Sequence, residues 1–323
     1  MRAAYVGNFE PPHSTENHVA TALEAQGVSV IRLQEQSFGW DPKKVPAKTA
    51  FVLWTHTHGY GPPKTHGRQA KFLESLARRG TPTVGYHLDR WWGLQREYQV
   101  YEEPFFQNTD LVVTADGGQG DKWALSGIEH AWFPPGVSAQ ECELGTPQDE
   151  YRSDIAFVGS WQGGYHTEWR HRQQLVDWLE RTYGARCAFW PRRGEHAVRG
   201  QALRDLYASV KVLVGDSCLT GDAHLYCSDR IPETLGRGGF LIHPRVEGIT
   251  NGEFSEGVHL AAWTLGNWGE LGDTIGHYLA DHETRTQIAA EGRRHVLEHH
   301  TYEVRMRQLL DLLAERDMIE AAA

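Results

Sequence analysis

The stretch "SDRIPETLGRGGFLIHP", residues 228–244, holds a helix start, a glycine-rich turn and an apolar strand in direct succession. Ser228 or Asp229 can cap a helix over residues 230–237, because short polar side chains accept hydrogen bonds from its first free N–H groups. Closely spaced glycines then lead into a strand over residues 239–243. A helix followed at once by an apolar strand is typical of the crossovers in parallel α/β sheets.

Glu233 is the polar residue in this helix that invites a functional interpretation. Ile231 and Leu235 share the face that must contact the sheet, so Glu233 points away from the core. Its place at the positive end of the helix favours an ionised carboxylate. Two fixed acceptor oxygens suit a vicinal diol such as that of ribose. The alternative is an exposed glutamate that only complements the helix dipole.

Outward from this stretch, short apolar segments alternate with amphipathic helical segments along the chain, which predicts doubly wound, Rossmann-like α/β sheets. In the first half the expected strands are 3–7, 28–33, 50–54, 81–86, 110–114 and 130–133, with helices near 15–26, 68–79 and 94–107. In the second half the expected strands are 154–160, 185–190, 210–215, 239–243 and 258–263. The expected helices there are 166–183, 203–208, 230–237, 268–279, 283–298 and 301–315.

Residues 133–153 interrupt the alternation with prolines, glycines and acidic residues that show no periodicity. We therefore expect two domains and a linker, with bounds 1–140, 141–153 and 154–298, and a final helical segment 299–323 that packs back on the first domain. Two such domains facing each other would leave a cleft at the carboxyl ends of the strands, where open parallel sheets bind ligands.

The composition limits the classes of function. The 323 residues carry 32 basic and 42 acidic side chains, a formal net charge of −10, which argues against broad binding of nucleic-acid backbone. No apolar run approaches a membrane span and the first residues lack a signal-peptide pattern, so we expect a protein of the cytoplasm. The four cysteines are expected to be reduced, with a Cys218–Cys227 bridge as the alternative.

The element Arg230-x-x-Glu233-x-x-x-x-Gly238-x-Phe240 resembles one in glycosyltransferases of the two-Rossmann architecture, GT-B. More narrowly, it resembles the spore-maturation CgeB-like group and the glycosyltransferase family 1/4-type C-terminal domain. The segments "DIAFVGSW" (154–161) and "YLADHETRTQIAAEGRRHVLEHHTYEVRMRQLL" (278–310) resemble further elements of that domain in the same order. The resemblance is weaker in the N-terminal half.

The resemblance implies roles for several residues of the second domain. Glu233 would hold the donor ribose, and Arg230 beside it would support Glu233 or reach phosphate. Gly159 and Ser160 would form the loop where backbone N–H groups approach the diphosphate. Many relatives carry a second, sugar-binding glutamate eight residues earlier, but here that position is Leu225. The sugar contact would then come from Asp222 or His224.

A diphosphate also needs cations, and two pairs of arginines are available. Arg192 and Arg193 directly follow the strand 185–190, which favours them for the cleft. Arg170 and Arg172 lie on a helix, where we expect them to be solvated.

In the first domain, Gly7 allows a tight turn after the first strand, and His13 and Glu16 lie at the start of the next helix. An ordinary helix cap at Ser14 explains the same pattern. The stretch "TPTVGYHLDRWWG" (81–93) resembles a strand end of the family.

An acceptor hydroxyl needs a general base. We expect this base to be Asp89, then His87, then His13 or Glu16. Alternatively, Asp89 pairs with Arg90 or caps a helix. Trp91 and Trp92 could stack on acceptor or sugar.

Two other patterns are weaker. His56, His58 and His66 could ligate a metal, but no acidic or cysteine partner lies at a convincing spacing, so we expect an acceptor-contact loop and no metal site. The segment "ADGGQGDK" (115–122) looks like a phosphate loop, lacks the GxGxxG order, and is predicted to be a turn.

The resemblance implies a metal-independent glycosyltransferase that needs no cofactor and uses a nucleotide-diphosphate sugar, with a UDP-sugar favoured. The acceptor could be a glycan, a small molecule, a protein or a hydroxylated base in phage DNA, the last disfavoured by net charge. The alternatives are a non-catalytic binding or structural protein of the same fold and a nucleotide-sugar epimerase. The sequence decides neither the stereochemical course nor the oligomeric state.

Overall fold

The computed structural model describes residues 1–56, 63–161, 169–220 and 223–320. The chain divides into two compact units. Unit 1 consists of Met1–Pro134 together with the C-terminal stretch that begins at Tyr302, and unit 2 consists of Pro135–Thr301. Each unit contains one parallel sheet with helices, which confirms the predicted fold class.

The strands, in chain order, are β1 (Arg2–Gly7), β2 (Ser29–Gln34), β3 (Phe51–Thr55), β4 (Thr83–His87), β5 (Leu111–Thr114), β6 (His130–Trp132), β7 (Ser153–Val158), β8 (Cys187–Trp190), β9 (Val210–Val214), β10 (Leu241–Pro244) and β11 (Ala261–Trp263). The helices are α1 (Thr15–Ala25), α2 (Pro63–Ala77), α3 (Pro104–Gln107), α4 (Gly120–Leu125), α5 (Arg170–Tyr183), α6 (Gly200–Ser209), α7 (Arg230–Gly236), α8 (Trp268–Ala280), α9 (His282–His299) and α10 (Tyr302–Glu315).

The sheet of unit 1 has the order β2-β1-β3-β4-β5-β6, and neighbouring strands are parallel. Every residue of β3 and β4 is buried, as expected for strands covered on both faces by helices and loops. The strand order reverses between β1 and β3. Doubly wound sheets bind ligands beside such a switch point, at the carboxyl ends of the strands.

The helix predicted over residues 94–107 is wrong in its extent. A 3₁₀ helix occupies Glu97–Tyr101, and α3 begins at Pro104. Proline lacks a backbone N–H and disfavours a helical residue before it, so one continuous helix cannot run through this position. The helix α4 begins inside the segment predicted to be a turn.

Helix α10 belongs to unit 1 although it lies at the end of the chain. Its side chains Met306, Leu309 and Leu313 are fully buried and share a core cluster with Val19 and Leu23 of α1. Each such buried side chain contributes about 1.5–3 kcal/mol. This packing fixes the final helix on the first sheet's helical layer.

The sheet of unit 2 has the order β11-β10-β9-β7-β8, again with parallel neighbours. Here β8 lies on one side of β7 and β9 on the other, so the strand order reverses between β7 and β9. The carboxyl ends of β7 and β9 therefore mark the place where a ligand is expected.

All four cysteines are buried. Their reduced state, with the Cys218–Cys227 bridge as its alternative, stays a prediction. Burial raises the pKa of the Cys187 thiol to about 12. Within the described residues, none of the helices combines the length and the apolar run that spanning a bilayer would require.

Candidate functional site

The carboxyl ends of β7, β9 and β10 in unit 2 gather a group of buried polar side chains. β9 ends at Val214, and Gly215, Asp216 and Ser217 follow it directly. Asp216 and Ser217 have no exposed surface. A buried carboxylate costs several kcal/mol unless it is paired, so the partners of Asp216 define the site.

Arg172, on α5, is a close partner of Asp216. Its Nε donates to Asp216 Oδ2 at 2.9 Å and Oδ1 at 3.2 Å, and its Nη1 donates to the Ser160 carbonyl at 3.0 Å. The guanidinium also lies 3.7 Å from the ring centre of Trp169. The expectation of a solvated Arg172 is wrong, since the side chain is buried against Asp216, whereas Arg170 is exposed.

Arg230, the first residue of α7, approaches the same carboxylate from the other side. Its Nε donates to the Asp216 carbonyl at 3.0 Å and lies 3.9 Å from Asp216 Oδ1. Its Nη1 donates to the carbonyl of Val158. The guanidinium of Arg230 is therefore directed at the ends of β7 and β9.

Gly159 is required by this arrangement. Its φ is +146°, and a Cβ there would lie 2.5 Å from Nη2 of Arg230. Its N–H donates to the Trp190 carbonyl at 2.8 Å, so this amide is already used within the sheet. The contact of Gly159 and Ser160 with a diphosphate stays a prediction, for which Ser160 is the more accessible residue.

A hydrogen-bonded chain continues from Ser217. Its Oγ lies 2.6 Å from Nε2 of His243, whose Nδ1 lies 2.8 Å from the carbonyl of Pro244. Because a carbonyl only accepts, Nδ1 carries the hydrogen and Nε2 accepts from the Ser217 hydroxyl. Burial lowers the pKa of His243 to about 4, so the ring is neutral at pH 7. Burial also lowers the pKa of His171, whose Nε2 lies 2.8 Å from the Ser217 carbonyl.

The buried group therefore keeps a positive charge. Arg172 and Arg230 are cations, Asp216 supplies one negative charge between them, and His243 is neutral. A buried site of this charge, at the carboxyl end of a doubly wound sheet, favours an anionic ligand.

Glu233 lies in the first turn of α7 and is half-buried. Burial raises the pKa of its carboxyl, the Arg237 guanidinium opposes this, and the nearby Asp229 adds to it. The expectation that the helix start favours the ionised form is therefore wrong in direction. Among the described residues, none hydrogen-bonds to this carboxylate, whereas Arg237 donates to the Glu233 carbonyl and to Glu141.

Arg192 and Arg193 follow β8 and are exposed. The guanidinium of Arg192 lies 4.5 Å from the ring centre of Trp190 and donates to the Glu150 carbonyl at 3.1 Å. That of Arg193 lies 5.2 Å from the ring centre of Trp161. Both stand at the carboxyl edge of the sheet, and their contact with a diphosphate stays a prediction.

Of the residues predicted to contact the donor sugar, Asp222 lies outside the described residues. His224 Nδ1 lies 3.8 Å from a carboxylate oxygen of Glu247. Leu225 has a left-handed backbone with φ of 54°, and a Cβ on Gly248 would lie 2.3 Å from its Cδ2. The position of the relatives' second glutamate is thus filled by an apolar side chain that packs on a glycine.

In unit 1, β4 ends at His87, one of the predicted bases. The side chain is buried, and neither ring nitrogen has a hydrogen-bond partner among the described residues. Burial, then the positive charge of Arg96 and the ring of His56, hold its pKa well below 6.5. His87 is therefore a neutral imidazole at pH 7, in which one ring nitrogen carries a hydrogen and the other can accept a proton.

The other residues of this segment separate into exposed and buried ones. Asp89 is exposed, whereas Arg90 is buried with its Nε 3.7 Å from Oδ2 of Asp116. Trp91 and Trp92 are 0% and 1% exposed and belong to the core of unit 1. The expectation that they stack on acceptor or sugar is wrong, because both rings are enclosed by other core side chains.

Gly7 and Glu16 meet at the end of β1. A Cβ on Gly7 would lie 2.6 Å from Cγ of Glu16, so this glycine leaves room for the glutamate. Glu16 is 1% exposed, and its Oε1 accepts from the N–H of Asn8 at 3.2 Å. A carboxylate enclosed in this way cannot reach an acceptor in this conformation, whereas His13 is exposed.

The absence of a metal at His56 stays a prediction, and His56 has an acidic neighbour. Its Nε2 lies 2.8 Å from Oε2 of Glu103, and both side chains are buried. The acidic partner that the sequence does not reveal near His56 is thus Glu103, which precedes α3. His58 lies outside the described residues, and His66 lies on α2.

Sequence reasoning missed Asp216, Ser217 and His243. A signal for them exists, because "VKVLVGDS" (210–217) places two polar residues directly after an apolar strand. In a parallel sheet such residues lie at the carboxyl edge, next to the polar residues that follow neighbouring strands. The same rule applies to His243 near the end of β10.

Residues 168–311 match the family model described as glycosyl transferase-like. This segment includes Arg172, Asp216, Arg230, Glu233 and His243. The prediction of a glycosyltransferase-type C-terminal domain is confirmed for this segment, and the narrower CgeB-like resemblance stays a prediction. Among curated proteins, none matches the chain.

Solved structures resemble the chain over nearly its whole length. Sucrose-phosphate synthase of Thermosynechococcus elongatus has a TM-score of 0.61 at 12% identity, covering 98% of this chain and 99% of its own. HepE of Anabaena, in complex with UDP and glucose, has a TM-score of 0.61 at 13% identity, covering 98% and 100%. A glycosyltransferase of Rickettsia africae has a TM-score of 0.58 at 11% identity, covering 97% and 98%. These similarities establish the two-Rossmann GT-B fold.

Proposed function

We propose that the protein is a glycosyltransferase that moves a sugar from a nucleotide-diphosphate donor, with a UDP-sugar favoured, to an acceptor hydroxyl. The observation that carries the proposal is the positively charged group of Arg172, Arg230 and Asp216 at the carboxyl ends of β7 and β9. It lies inside the glycosyl transferase-like segment. Anabaena HepE, which is similar in fold, has been solved with UDP and glucose and with UDP-glucose.

Unit 2 would bind the donor. The diphosphate carries negative charge and would lie against the guanidinium pair, which Asp216 compensates only in part. Glu233 would accept hydrogen bonds from the ribose hydroxyls and must be ionised to offer both oxygens. Because burial raises its pKa, donor binding supplies part of the energy needed to keep the carboxylate charged.

In the transfer step, the acceptor oxygen bonds to the anomeric carbon while the bond from that carbon to the diphosphate oxygen breaks. The electron pair of the broken bond leaves with the diphosphate, where positive charge stabilises it. The acceptor proton passes to a base. His87, neutral at pH 7, and the exposed Asp89 and His13 are the proposed bases in unit 1.

We further propose that transfer needs no metal or cofactor, since the guanidinium pair can take the part of a cation at the diphosphate. The test is turnover of UDP-sugars after treatment with EDTA and extensive dialysis. Undiminished turnover is expected. Activity that EDTA abolishes and Mg²⁺ or Mn²⁺ restores would contradict this part of the proposal.

The donor assignment is tested by isothermal titration with a panel of nucleotide sugars, using the unmutated chain, Glu233→Ala and the surface control Glu298→Ala. We expect one donor to bind at micromolar concentration. Glu233→Ala should weaken it by roughly 10–100-fold, because hydrogen bonds to charged groups contribute about 1.5–3 kcal/mol. Glu298→Ala should change nothing.

Two results would favour the alternatives over transfer. If no nucleotide sugar binds, or if binding is indifferent to Glu233, the protein is a non-catalytic member of this fold. If a bound donor sugar changes its configuration without any acceptor, the epimerase alternative is favoured.

A further inference from the structure

Two tyrosines on unit 1 differ from the other aromatic side chains. Tyr98 is 57% exposed and Tyr101 60%, and no other Trp, Tyr or Phe in the described part of the chain is exposed by even half. Elsewhere the aromatic rings fill the cores, as Trp91 and Trp92 do. An exposed pair of large rings in a chain that buries its other described aromatics indicates a binding surface.

The two rings share one face of a short helix. Tyr98 and Tyr101 lie on the 3₁₀ helix Glu97–Tyr101, in which side chains three residues apart eclipse each other. Tyr101 packs on the core, with its ring 6.2 Å from that of the buried Trp92 and its hydroxyl 3.4 Å from Ser126 Oγ. Tyrosines held in this way offer a large contact area at a small entropy cost.

The surroundings of the pair combine apolar and acidic side chains with one lysine, Lys122, whose Nζ lies 5.5 Å from the ring centre of Trp92. Leu125, the residue before Ser126, is 88% exposed and extends the surface. Two exposed carboxylates lie nearby. Glu102 follows Tyr101 in the chain, and Asp121 lies on α4 one helical turn before Leu125. Carboxylates accept hydrogen bonds from hydroxyl groups and repel phosphates, so the surface suits a neutral polyhydroxylated ligand better than a nucleic acid.

We propose that this surface, the Tyr98–Tyr101 platform, binds a ring of a neutral saccharide, so that the acceptor is itself an oligosaccharide or a glycoside. The C–H face of a sugar ring would stack on the tyrosines, and its hydroxyls would donate to Glu102 and Asp121. The platform lies on the chain segment that follows β4. His87 is the last residue of β4, and the predicted base Asp89 lies on the same following segment. Its role as an acceptor subsite rests on the proposed transfer, whereas saccharide binding does not.

The test is isothermal titration of the full chain with neutral hexasaccharides, namely maltohexaose, cellohexaose, chitohexaose and mannohexaose. Binding of at least one is expected, and the double variant Tyr98→Ala, Tyr101→Ala should weaken it about tenfold or more, since it removes both ring faces. The pair Tyr98→Phe, Tyr101→Phe keeps the rings and should bind within about threefold of the unmutated chain. Leu144→Ala, which removes another exposed apolar side chain, in unit 2, should have no effect.

Other results overturn the inference. It is wrong if no hexasaccharide binds, or if the double alanine variant binds as well as the unmutated chain. It is also wrong if sedimentation shows a dimer that the double alanine variant abolishes, because the platform would then be a protein interface. UDP-sugar affinity, measured on the same samples, should not depend on the tyrosines. If no variant binds a nucleotide sugar while saccharide binding follows the tyrosines, the transfer proposal fails and the saccharide site stands.

Discussion

The carboxyl ends of the two sheets have a similar topology and different electrostatics. In unit 2, one carboxylate, Asp216, lies between two guanidinium groups, and a positive charge is left over. In unit 1, beyond the ends of β4 and β5, the buried guanidinium of Arg90 lies 3.7 Å from a buried carboxylate, that of Asp116. The comparison teaches that the shared fold fixes where a ligand binds, whereas the balance of buried charges fixes which ligand. Under the proposed function, unit 2 would bind the anionic donor and unit 1 the neutral acceptor.

The largest loss of stability is expected from replacing the buried aspartate in either unit, Asp216 in unit 2 or Asp116 in unit 1. Asp216→Asn leaves two buried guanidinium groups without a counter-charge, and breaking a buried pair costs about 3–5 kcal/mol. The free energy of unfolding, followed by urea titration, should fall by that order. Donor affinity should also fall, because Arg172 loses the carboxylate that positions it and Arg230 loses a nearby counter-charge.

The matched variant in unit 1 is Asp116→Asn. It should destabilise the protein comparably, since Asp116 and Arg90 are both 1% exposed. It should leave UDP-sugar affinity unchanged, provided that titration is done where the variant is folded. Equal losses of donor affinity in both variants would erase the distinction between the two sheet ends.

A smaller effect is expected from Gly159→Ala. The new methyl group would lie 2.5 Å from Nη2 of Arg230, on a backbone with φ of +146°. Arg230 must then move, and we expect donor affinity to drop about tenfold with a loss of ~1–3 kcal/mol of stability. Gly184→Ala is the control, because its φ of +49° is also unfavourable but no atom lies within 4 Å of the added Cβ. If both variants bind the donor equally well, the contact of Gly159 with Arg230 has no function.

Glu233→Gln should have effects of opposite sign on stability and binding. Burial raises the pKa of Glu233, so the folded state favours the protonated acid, and its ionisation costs stability as the pH rises through the raised pKa. At pH 7 the glutamine variant should melt slightly higher, by ~2 °C. This difference should disappear as the pH falls toward 4.5. Donor affinity should be lower in the variant at pH 7, and a gain in affinity would contradict the proposed ribose contact.

The fold could be predicted from the sequence because local patterns determine it. Apolar strands such as "AFVLW" (50–54) alternate with amphipathic helices, and each pattern can be recognised within a few residues. The prediction failed at residues 94–107, where the effect of Pro104 on the helix was underestimated. Arg230 and Glu233 were found only because they belong to a recognisable element of a known family.

The rest of the site could not be predicted because it depends on contacts between distant residues. Arg172 is buried because it pairs with Asp216, which lies 44 positions later in the chain. The sequence around Arg172 does not indicate this pairing. The pairing of His56 with Glu103 and the enclosure of Trp91 and Trp92 are of the same kind. Whether a charged or aromatic side chain is buried is settled by residues from other strands and helices.

The smallest effect on stability is expected from the protonation of His87 and His243. Their titration also tests whether water reaches the two sheet ends. Burial lowers the pKa of His243 to about 4 and holds that of His87 well below 6.5. Because the unfolded chain binds protons more readily at these positions, stability is unaffected by them above about pH 6.5. It falls progressively as the pH decreases from there toward the folded-state pKa, which is about 4 for His243. Ring signals followed by NMR should stay those of neutral imidazole from pH 8 to 5.5, and should titrate near 6.5 in urea.

A normal titration of His87 in the folded protein, with His243 still neutral, would mean that water reaches the end of β4. Unit 1 would then be the open sheet end, and its base would be charged, and unable to accept a proton, over much of the acidic range.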